Sequence, residues 1–159
     1  MAGARVEIEV DDALINQALA RGRDALDGGG VVLMLEDIGE HLLRSTRLRG
    51  DRQVSPKGKP WQQLSPKYKR YKDEKRPGVP KLKFDFHMLG DQLSHQVVGN
   101  TLFVGTAALY GATHQFGRTV HTPKGTYEIP ARPWLGLSDD DDTEVLAIAE
   151  RHVRDAFSA

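Results

Sequence analysis

Residues 110–138, which read YGATHQFG, a polar excursion and then IPARPWLGLS, constrain this chain more than any other stretch. Gly117 stands where a short helix must end, a position that calls for the left-handed backbone glycine adopts freely. Pro130 and Pro133 fix their own φ and bias Ile129 and Arg132 toward extended geometry, so Arg132 is presented from a braced backbone. A guanidinium held this way suits a fixed fork-like contact. The nearest cluster of acids in sequence is Asp139, Asp140, Asp141 and Asp142, and an adjacent subunit is the other source. Leu135 and Leu137 continue the apolar run, which puts Trp134 in the core or at its edge.

Around this stretch the chain reads as α+β, with helices packed on an antiparallel sheet and a C-terminal amphipathic helix. Val6, Ile8 and Val10 alternate with charged residues as in a half-buried strand, which Asp11 and Asp12 end while offering a helix cap. Leu14, Ile15, Ala18, Leu19 and Leu26 follow at helical spacing up to a break at Asp27, Gly28, Gly29 and Gly30. A second helix is predicted over residues 31–48, with Leu35, Ile38, Leu42 and Leu43 on one face, and both helices are expected on the sheet. Residues 50–65 then lapse into a polar loop punctuated by Pro56, Gly58 and Pro60, predicted to be mobile or ordered by a partner, with Trp61 as its anchor. Ser65 and Pro66 open a short basic helix carrying Tyr68 and Tyr71, which Pro77, Gly78 and Pro80 end. A hairpin over residues 96–98 and 101–104 turns at Gly99 and Asn100, and a short helix is predicted over 107–116. A second hairpin or extended loop over 118–129 turns near Pro123, Lys124 and Gly125. Ser138 or Asp139 caps the last helix, whose stripe includes Val145, Leu146, Ile148, Val153 and Phe157.

At 159 residues the chain reads as one domain, 1–159, able to bury about 70% of its unfolded surface. It has no cysteine, no apolar leader and no run approaching the ~20 apolar residues of a membrane span, so the expected chain is soluble. Its 22 basic and 22 acidic residues cancel, which removes any global attraction for nucleic acid. The distribution is uneven. Residues 44–83 are strongly basic, with a basic loop region over about 50–83, and the acids gather at 139–144; such a bipolar subunit could stack basic face on acidic face. Arg52, Lys57, Lys59, Lys67, Lys69, Arg70 and Lys72, interleaved with aromatic residues, are candidate contacts for DNA phosphates or an acidic partner. That segment defines the alternative function, a sequence-neutral DNA-binding module. Chemistry is not indicated. The six histidines show no HxxxH pair, the aspartate run has Glu144 where a calcium loop needs glycine, and neither GxxxxGK[ST] nor GxSxG occurs. No metal, cofactor or catalytic residue is expected.

The YGATHQFG and IPARPWLGLS pair, with PKGKPWQQLSP around Trp61 and LGDQLS at residues 89–94, resembles the phage virion morphogenesis family, which contains the tail-completion proteins of Mu-like tailed phages. The likeness covers residues 55–157, with Gly111 standing where the family usually has alanine before HQFG. It implies a non-enzymatic structural protein at the head-proximal end of the tail, acting in head–tail joining within the virion and present in the host cytoplasm during assembly. It also implies a homo-oligomeric ring, hexameric by that likeness, between a tail terminator or tube and neck or head-completion proteins. Double-stranded DNA would pass through the lumen, and no membrane is implied. Trp61, His114, Gln115, Phe116, Gly117, Arg132 and Trp134 become the candidate interface or anchor residues, with His114 buried or interfacial at a helix end.

Overall fold

The structure, a computed structural model, describes residues 13–158; the predicted strand at residues 6–10 and its Asp11 or Asp12 cap lie outside them. Helix α1 (Ala13–Ala25) and helix α2 (Val31–Arg52) are joined through Leu26–Gly30. The glycines there make a kink rather than a loop: Gly29 alone takes φ 110°, and Gly30 is already helical again. Helix α2 outruns its predicted end, because Gln53 adopts the left-handed conformation and closes it one turn later.

Strands β1 (Leu93–Val98) and β2 (Thr101–Thr106) form an antiparallel hairpin in register from Leu93 opposite Thr106 to Val98 opposite Thr101. Helix α2 lies against this hairpin. Gly39 makes the approach possible: a β-carbon there would stand 2.4 Å from the His95 ring. Short helix α4 (Gly111–Phe116) leads to a second hairpin, β3 (Arg118–Thr122) and β4 (Gly125–Ile129). The α+β class holds, but the sheet is two separate hairpins. Helix α1 packs against the C-terminal helix α5 (Asp139–Ser158), which also packs on α2, so only α2 of the first two helices takes the place expected on the strands. The helix predicted over 107–116 starts only at Gly111, since the Ala107 amide donates to the Gln92 carbonyl and Ala108 turns into the core. Helix α3 (Pro66–Lys75) begins as its sequence dictates, with the Ser65 hydroxyl accepting from the Tyr68 amide. The core gathers Leu43 from α2, Trp61 from the loop after it, Met88, Leu89 and Leu93 from the turn before β1 and its start, Ala108 from the loop after β2, and Trp134 from the segment after β4.

Helix α5 is fixed at its first turn. Ser138 caps it, its hydroxyl accepting from the Asp141 amide at 3.1 Å while the Asp141 carboxylate accepts from the Ser138 amide at 2.9 Å, a reciprocal capping box. The same buried carboxylate accepts from Arg49 Nη1 at 2.6 Å and lies 2.9 Å from His41 Nε2. Arg49 Nη2 donates to the Thr46 hydroxyl and the Gly136 carbonyl. Lys57 and Asp139 add an exposed pair at 3.1 Å. The acidic turn and the basic segment, expected to attract one another between subunits, thus neutralise one another in part within a single chain.

Burial pushes the Asp141 carboxyl up, but hydrogen bonds from Ser45 and Ser138 together with the Arg49 charge outweigh it and hold the group well below the usual carboxylate range. A carboxylate whose folded value lies below its unfolded one stabilises the fold above about pH 4 and loses that contribution as the pH falls further. Asp141→Asn should cost about 3–5 kcal/mol in urea unfolding at neutral pH, because it strands a buried guanidinium, and should flatten the acid limb of the stability profile. Asp139→Asn, at an exposed pair, should change stability by less than about 1 kcal/mol.

Candidate interaction site

The two halves of the 110–138 stretch are bound together by one side chain. The Gln115 amide oxygen accepts from the Trp134 and Leu135 backbone amides, each at 3.0 Å, and its nitrogen donates to the Leu135 carbonyl at 3.0 Å. The Arg132 amide donates to the His114 carbonyl at 2.7 Å, continuing the same contact. Gly117 ends α4 with φ 77°, and a β-carbon on it would press within 2.9 Å of the Ala131 nitrogen, so both its conformation and its lack of a side chain are used. Trp134 is buried, its indole donating to the Gly111 carbonyl at 3.0 Å.

Trp61 corrects the expectation of a partner-ordered anchor: it is only 3% exposed, inside the core, and its indole donates to the Pro133 carbonyl at 2.7 Å. The loop around it is ordered from within. Gln53 donates its side-chain amide to the Gly50 and Lys81 carbonyls and accepts from the Lys81 amide, and its own carbonyl takes the Trp61 amide. Arg132 is braced as expected, but its fork closes on the Gln62 and Gln63 carbonyls, at 2.8 and 2.9 Å, and not on an aspartate. Asp141, the acid in best position on the C-terminal helix, is committed to Arg49.

Beside this clasp opens a cleft of about 490 Å³. Tyr68, Phe84, Tyr110 and Tyr127 supply aromatic walls, and His114, Lys81 and Arg132 also line it. Burial lowers the His114 imidazole and the Lys81 amine below their ordinary values, and the Arg132 charge adds to both shifts. Arg132 is itself lowered by burial, a shift that Tyr68 partly offsets. Outside the cleft, the ends of α4 carry two bare apolar side chains, Leu109 at 98% exposure and Phe116 at 78%.

The proposed phosphate contacts do not form one free basic face. Lys72 is buried and donates to the Val79 carbonyl, so it is withdrawn from any external partner. Lys69 pairs with Asp73 along α3, and Lys57 with Asp139. Arg52, Lys59, Lys67 and Arg70 are exposed. No cluster of three or more metal-ligating side chains occurs among the described residues, and no helix there is long and apolar enough to cross a membrane.

The model of the phage virion morphogenesis family matches residues 10–154, across both halves of the clasp, the cleft and most of α5. The chain belongs to that family. It is also similar to Mu-like prophage FluMu G protein 1 of Haemophilus influenzae, 27% identical over 149 residues that cover 93% of this chain and 94% of the relative. No solved structure matches. Membership gives this protein a structural, morphogenetic role in building a phage virion, and the clasp explains why the two motifs occur together: each supplies hydrogen-bonding groups that the other would otherwise bury unpaired. Gln53, Asp141 and the cleft-lining Tyr127 stand outside what the sequence singled out as site residues, and only Asp141 left a signal, the Ser138-x-x-Asp141 capping spacing.

As a core residue, Trp61 sets a direct test. Trp61→Ala should lower stability by about 3–5 kcal/mol, read in denaturant unfolding, with any loss of assembly following from the loss of folded protein.

Proposed function

We propose that this virion morphogenesis protein completes the tail at its head-proximal end and takes part in joining head to tail, as a structural subunit without catalytic work. In this reading copies assemble into a ring, hexameric as the family likeness implies, at the tail and neck of the virion after assembly in the host cytoplasm. The tail terminator or tube and the neck or head-completion proteins are its neighbours, and genomic double-stranded DNA passes through its lumen. The observation that carries the reading is the pairing of a rigid base with a bare apolar edge. Gln115, Trp134 and Gly117 immobilise the segment from inside, while Leu109 and Phe116 project at its two ends with little cover from the described residues. Exposed apolar side chains on a preorganised element bind at little ordering cost, which is what an assembly subunit requires.

The DNA-binding alternative draws only on Arg52, Lys59, Lys67 and Arg70, since Lys72 is buried and Lys57 and Lys69 are paired. Steeply salt-dependent retention on duplex DNA would favour it. For the assembly reading, Leu109→Glu and Phe116→Glu should leave stability within about 0.5 kcal/mol of the parent, as surface changes do. Each should nevertheless cut the yield of joined particles about tenfold or more, the effect of losing ~1.4 kcal/mol of contact energy. Normal particle yield from both variants would contradict the reading.

A further inference from the structure

Arg132 is 3% exposed, and none of the described carboxylates pairs with it. Its Nε and Nη2 are spent on two carbonyls, and among the described residues Nη1 has no hydrogen-bond partner. Two acids, Asp85 and Glu128, share the cleft with it, but the Asp85 carboxylate accepts from the Tyr110 hydroxyl at 3.1 Å and neither acid reaches Arg132. A buried cation without a counter-charge is destabilising, and here it lies at the wall of an open cleft. Burial first, and the Arg132 charge second, lower the proton affinities of His114 and Lys81 beside it. The lining therefore suits a ligand with a negative group and an apolar neighbour: the charge for Arg132, the apolar part for the tyrosine and phenylalanine rings.

This chain itself displays such a surface. Asp142, Leu146 and Glu150 stand at four-residue steps on α5, one above another on one face, and all three are exposed, Leu146 at 64%. We infer that the cleft receives the Asp142, Leu146 and Glu150 face of α5 from a second copy of this chain, with Arg132 taking a carboxylate and the aromatic walls taking Leu146. The inference rests on the ring reading above and names the contact that would build it. Cleft and stripe are different patches, so the contact is head to tail; a bound pair leaves one cleft and one stripe free for further copies, and a ring results where the rotation closes. Asp141, turned inward, and Asp139, paired with Lys57, remain with their own chain, and Asp142 serves the neighbour.

Arg132 also braces its own loop, so the test leaves it alone. The chain has no cysteine, so substituted ones are unique. Full-length Lys81→Cys and Glu150→Cys proteins, mixed and treated with a short bis-maleimide, should give a heterodimer, and the double variant should give a covalent ladder, in solution and in assembled particles. Leu146→Asp should weaken self-association about tenfold or more without lowering the melting temperature. Copies that associate normally despite Leu146→Asp, with no cross-link between the two positions, overturn this contact while the ring stands. A cross-link from Lys81→Cys to a different virion protein overturns the choice of occupant. A chain that is monomeric both in solution and in particles overturns the contact and the ring together.

Discussion

One primary amide, that of Gln115, holds the arrangement on which the rest depends. It pairs the amides of Trp134 and Leu135 and the Leu135 carbonyl through three hydrogen bonds, and backbone groups in a loop that dips into a core must be paired or they cost more than the burial returns. With that loop fixed, Trp134 enters the core, the Pro133 carbonyl is positioned for Trp61, and Arg132 reaches back to the Gln62 and Gln63 carbonyls. Two long segments without regular structure are thereby turned into fixed walls. Gln53 does the same work at the other end, tying the close of α2 to Lys81.

A second constraint comes from the Arg49 and Asp141 pair, which anchors α5 across α2 at 2.6 Å. A buried ion pair of this kind is poor evidence of large net stability, but it is strongly directional, and it fixes where the last helix begins. The consequence reaches assembly. A chain with equal numbers of acids and bases looks suited to charge stacking between copies, yet its most buried acid, Asp141, is satisfied internally by Arg49. What remains for partners is narrower and more specific: the bare side chains of Leu109 and Phe116, and an aromatic cleft with an unneutralised guanidinium.

The elements governed by local rules were legible from sequence. Ser65 with Pro66, Ser138 or Asp139, Gly99 with Asn100 and Gly117 each specify a cap or turn within a few residues, and these caps and turns fall where those signals put them. The misread residues are those whose surroundings arrive from far along the chain. Trp61 lies in a segment too polar to bury it, and only Pro133, 72 residues away, and the core behind it make the site. Lys72 looks like one more surface cation on α3 until the Val79 carbonyl folds over it. Arg132 was correctly read as held, but carbonyls of a loop took the fork in place of a carboxylate, a choice that no spacing in the sequence encodes.

Amide hydrogen exchange at residues 132–135 tests most directly whether this stretch is internal architecture with an outward assembly edge. The amides of Arg132, Trp134 and Leu135, which donate to the His114 carbonyl and to the Gln115 side chain, should exchange only through global unfolding, as slowly as the amides of β1 and β2. Exchange of these three at the rate of an open loop, with β1 and β2 still protected, would contradict the clasp and the rigid base built upon it.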